Sequence, residues 1–91
     1  MKHTTIVKTG KRVEPYDQLK LFRSIYASCL SVRTPTGEAE VTAKRVCQDI
    51  APWLNTKPEV TSHDIRIHAA KRLQTYNPSA ADIYKHHGTI H

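Results

Sequence analysis

The chain has 91 residues, 10.3 kDa, enough for one small domain and too little for a second catalytic unit. Hydrophobic residues make up 38% and charged residues 24%, which excludes a disordered polar chain, and only 7% are aromatic, so the predicted core is aliphatic and modest. Fourteen Lys and Arg against eight Asp and Glu leave a net charge of +6 and a pI near 9.6, a bias toward anionic partners. The excess is uneven. Residues 1–33 carry Lys2, Lys8, Lys11, Arg12, Lys20, Arg23 and Arg33 against Glu14 and Asp17, net +5, so the N-terminal third is the expected anion-facing part.

Two cysteines, Cys29 and Cys47, do not form a disulfide framework or a CxxC pair. No apolar run approaches the roughly 20 residues that span a bilayer, and the opening MKHTTIVKTG lacks the apolar stretch of a secretory signal. The expectation is a soluble cytoplasmic protein with no membrane partner.

In chain order, His3–Lys8 is short and β-branched, followed by Thr9-Gly10-Lys11 and then Arg12-Val13-Glu14-Pro15. This predicts a β-hairpin over about 3–15, with Gly10-Lys11 as a two-residue type II′ turn and Pro15 ending the second strand. From Asp17, a predicted N-cap, Leu19, Phe22, Ile25, Tyr26, Cys29 and Leu30 recur at helical steps, giving a helix over about 17–31. Pro35 and Gly37 mark a loop. Ala39, Ala43, Val46, Cys47, Ile50, Trp53 and Leu54 then predict a helix over about 38–54, kinked or restarted at Pro52. Residues 55–59 read as a second loop. Thr61-Ser-His-Asp64 is a capping box opening a helix over about 62–76, with Ile65, Ala69, Leu73 and Tyr76 on its apolar side. Asn77-Pro78 opens a last helix over about 78–87 with Ala81 and Tyr84 inward, and the tail from Gly88 is expected to fray. The predicted fold class is α+β, mainly α: one domain, 1–91, with a small N-terminal hairpin cap on a four-helix bundle.

Catalytic groups are scarce. Both cysteines fall on apolar stripes, where a thiol packs as a small hydrophobe. Among His63, His68, His86, His87 and His91, no two stand at i, i+4 within a predicted helix, so no metal site is expected. With three glycines there is neither GxxxxGK[ST] nor GxGxxG, and no carboxylate pair can be assembled, so the chain is read as a non-enzyme. One corner does gather complementary groups. Lys8, Lys11 and Arg12 surround the predicted turn, and Glu14 and Lys20 flank Pro15-Tyr16-Asp17. A carboxylate accepts from a purine's exocyclic amine, an ammonium donates to a ring nitrogen, and turn cations take phosphates. The same cations would equally guard an exposed strand edge against aggregation.

Ile6-Val7-Lys8-Thr9-Gly10-Lys11-Arg12-Val13-Glu14-Pro15-Tyr16-Asp17, followed by Lys20-Leu21, resembles the opening of the ATP-cone, which typically reads VxKRDGRxExFDxxKL. Thr61-Ser62-His63-Asp64-Ile65 and Ala81-Asp82-Ile83-Tyr84-Lys85 are similar to that family's two later motifs, in order, so the likeness spans roughly residues 4 to 86. ATP-cones are regulatory modules of ribonucleotide reductases and of the repressor of their genes; they sense ATP against dATP. The resemblance implies ATP or dATP as ligand, with Mg2+, and a site built from Val7, Lys8, Thr9, Lys11, Arg12 and Glu14. It adds Tyr16, Lys20, Leu21, Thr61, Tyr84 and Lys85, with Lys8 at the phosphates, Glu14 and Lys20 at the adenine and Lys85 as a second phosphate contact. The family's Arg-Asp-Gly turn is Thr9-Gly10-Lys11 here, so Lys11 or Arg12 must replace its arginine. Tyr16 stands where Phe is common.

The chain lacks the four cysteines of the repressor's zinc ribbon and the reductase barrel, so the expectation is a stand-alone cone, or one cut from a longer protein. Such a module would act through self-association or on a ribonucleotide-reductase-related partner. Two other functions fit the composition. A small basic nucleic-acid-binding protein has the pI in its favour, although the cations are not interleaved with aromatics. A degenerate cone serving purely as a protein interaction module is the third.

Overall fold

The structure, a computed structural model, describes residues 5–8 and 12–87. Four helices supply most of it: α1 (Gln18–Ser31), α2 (Thr36–Asn55), α3 (Ser62–Tyr76) and α4 (Pro78–His87). α1 packs on α2 and α4, and α3 packs on the same two, so the helices close a ring around one core. Ile25, Cys29, Val46, Ile50 and Leu73 are its fully buried centre. Each such aliphatic contributes roughly 1.5–3 kcal/mol by leaving water. Three short strands complete the chain: β1 (Thr5–Lys8), β2 (Arg12–Pro15) and β3 (Glu59–Thr61).

This corrects the expected α+β architecture. The molecule is a four-helix fold with a minor β element, and that element is not a hairpin cap. β1 pairs antiparallel with β2, but its other edge is taken by β3, which lies between α2 and α3 and runs parallel to it. The order β2-β1-β3 therefore ties the N-terminus to the head of α3, through the buried Ile6 and Val60, rather than laying a free-standing hairpin over the bundle. The loop expected over 55–59 gives way to β3 at Glu59, because β1 supplies a partner that local sequence does not reveal. The predicted Gly10-Lys11 turn and the tail from Gly88 lie outside the described residues.

The helix ends follow local chemistry. Asp17, extended at φ −114°, accepts from the amides of Leu19 (3.0 Å) and Lys20 (3.4 Å) and starts α1. α2 begins at Thr36 after Pro35, two residues earlier than predicted, and runs unbroken through Pro52. Pro52 lacks the amide that would reach the Gln48 carbonyl, and both residues are exposed, so that carbonyl is open to solvent. The stripe predicted for α1 divides in two. Ile25 and Cys29 are buried together with Leu21 and Ser28, whereas Leu19 and Leu30 are exposed and Phe22 and Tyr26 are half-buried. On α3, Ile65, Ala69 and Leu73 face the core. Tyr76 does not; it is 36% exposed and donates its hydroxyl hydrogen bond to Asp49 on α2.

Candidate functional site

The three segments that carry the family resemblance meet at one end of the bundle. Across the parallel pair β1–β3, Val7 stands opposite Thr61, and across the antiparallel pair Lys8 stands opposite Arg12 and Glu14 opposite Ile6. Thr9 and Lys11 lie outside the described residues, and for Val7, Lys8, Arg12 and Glu14 the strand register is what locates them.

Thr61 ends β3 and caps α3. Its Oγ1 accepts from the Asp64 amide at 3.0 Å, and an Asp64 carboxylate oxygen accepts from the Thr61 amide at 3.2 Å. These bonds to Thr61 hold the Asp64 carboxyl below the usual carboxylate range. The Thr61 side chain is exposed, and because its oxygen serves the cap as acceptor, its O–H proton remains available to donate.

Tyr16 sits where β2 turns into α1, half-buried. Burial raises its phenol well above the ordinary range, and the neighbouring Cys47, Tyr84 and Asp17 raise it further. Tyr84 on α4 is buried, and burial pushes its phenol up to about 12, against the opposing pull of the Arg66 guanidinium. Burial likewise pushes the Cys47 thiol to about 11. Tyr16, Cys47, Tyr84 and Arg66 thus share one neighbourhood, drawn from the β2–α1 junction, α2, α4 and α3. Both phenols and the thiol are neutral near pH 7, so the charges acting on this cluster are the Arg66 guanidinium, felt at Tyr84, and the Asp17 carboxylate, felt at Tyr16.

Arg66 was not singled out by the sequence. It is half-buried in the second turn of α3, five residues beyond Thr61. Its significance arises from tertiary proximity to Tyr84, a signal that local pattern does not carry. Lys20, in the first turn of α1, and Lys85, next to Tyr84 on α4, are both exposed. Leu21 and Tyr84 belong to the core, 7% and 5% exposed, so they serve as packing beneath the site rather than as reaching side chains. Chemically, the described residues offer a guanidinium within electrostatic reach of a phenol ring, and an exposed hydroxyl at the start of the helix that carries the guanidinium. That set suits an anionic ligand with an aromatic base.

Elsewhere, among the described residues, no group of three or more His, Cys, Asp or Glu side chains could hold a metal ion, and no helix is long and apolar enough to cross a membrane. Both cysteines are free and buried. No protein-family model, no curated protein and no solved structure matches the chain.

Proposed function

We propose that this chain is a non-catalytic regulatory module that binds an adenine nucleotide, ATP or dATP with Mg2+, in the manner of the ATP-cone. It would switch its own association, or that of a ribonucleotide-reductase-related protein, according to the nucleotide loaded. What supports this is the convergence of three separated segments: Val7 lies opposite Thr61, 54 positions away in sequence, and Tyr16 lies within electrostatic reach of Tyr84. Arg66 lies within electrostatic reach of Tyr84, and the exposed Lys20 and Lys85, each carried by one of these segments, would add cations for the phosphates. A regulatory output further requires that nucleotide bind two states unequally, since equal affinity for both shifts nothing.

Calorimetric titration of the 91-residue protein with ATP, dATP and GTP tests the site. The parent should bind ATP or dATP in preference to GTP. Glu14→Ala and Lys20→Ala should abolish this binding, and Arg66→Ala should weaken it by roughly tenfold or more, the scale of about 1.4 kcal/mol for a lost charge-assisted contact. Parent-like ATP binding by all three variants would refute the site.

A further inference from the structure

We draw no further inference here: the strongest candidate, the surface cluster on the α2–α3 face in which Tyr76 bonds to Asp49 with Arg45 and Arg72 one helical turn away on the two helices, carries nothing, because the Asp49 carboxylate stands among its cations and nothing in the structure shows what covers it.

Discussion

Asn77 joins three parts of the fold through one side chain. Its Oδ1 accepts from the Ala80 amide at 3.1 Å, capping α4, and its Nδ2 donates to Thr34 Oγ1 at 2.9 Å, holding the α1–α2 loop against the α3–α4 junction. Burial raises the Cys29 thiol pKa, and the Asn77 side chain opposes that shift. Asn77→Ala removes the cap, at about 1 kcal/mol, and the bond to Thr34, at about 1 kcal/mol more. The sum is near ~2 kcal/mol. For a domain of this length each kcal/mol moves the melting midpoint by about 4–8 °C, so a fall of about 8–16 °C is expected. Asn77→Asp separates the two contributions. It keeps the acceptor and puts a negative charge at a helix N-terminus, where it is favoured, while losing the donor to Thr34. Urea unfolding at pH 7, followed by circular dichroism, should rank parent, Asp and Ala in falling order with unchanged m-values. A cost below about 0.5 kcal/mol for Asn77→Ala, or Asp and Ala variants of equal stability, would refute this account of the junction.

Two further predictions concern the packed aromatics. Tyr84 stays neutral in the fold up to about 12, while an unfolded tyrosine ionises near ~10. Its raised pKa therefore contributes stability that is fully present below about pH 10 and lost as pH rises toward 12. Tyr84→Phe should match the parent at pH 7 and lose less of its melting temperature between pH 10 and 12; an identical alkaline decline in both would contradict this. Trp53, the single tryptophan, stacks on His68 with centroids 3.8 Å apart and an interplanar angle of 21°. His68→Ala uncovers that half-buried ring, so its fluorescence emission should shift to the red with a stability loss of about 0.5–1.5 kcal/mol, and an unchanged spectrum would show that the stack does not persist in solution.

The helices were legible because their signals are local. Asp17, the Thr61/Asp64 box and Asn77-Pro78 mark helix starts that the backbone adopts, and Ala43, Val46, Cys47 and Ile50 show period 3.6 on the face that α2 buries. Non-local features were not legible. β3 is three residues long and exists only because β1 supplies a parallel partner, so nothing around Val60 announced it, and the expected hairpin cap was wrong for the same reason. On α1 the apolar residues cover a wide arc. Periodicity identified the helix, but not which part of that arc meets α2 and α4 and which remains in water. At Pro52 the helix does not restart: α2 continues as one element to Asn55. Within the candidate site, Thr61 and Lys20 are marked by motif, whereas Arg66 is drawn in by its electrostatic reach to Tyr84 on another helix.

The central claim is that the basic corner recognises adenine nucleotide, and thermal unfolding of the purified protein tests it most directly. Spectra would be recorded alone and with millimolar ATP, dATP, GTP or AMP, each with magnesium. A ligand at 100 times its dissociation constant stabilises the native state by about 2.7 kcal/mol, worth more than about 10 °C in a domain this small. The account predicts such a rise with ATP or dATP and none with GTP. An unchanged midpoint with every nucleotide, or an equal rise with GTP, would contradict it.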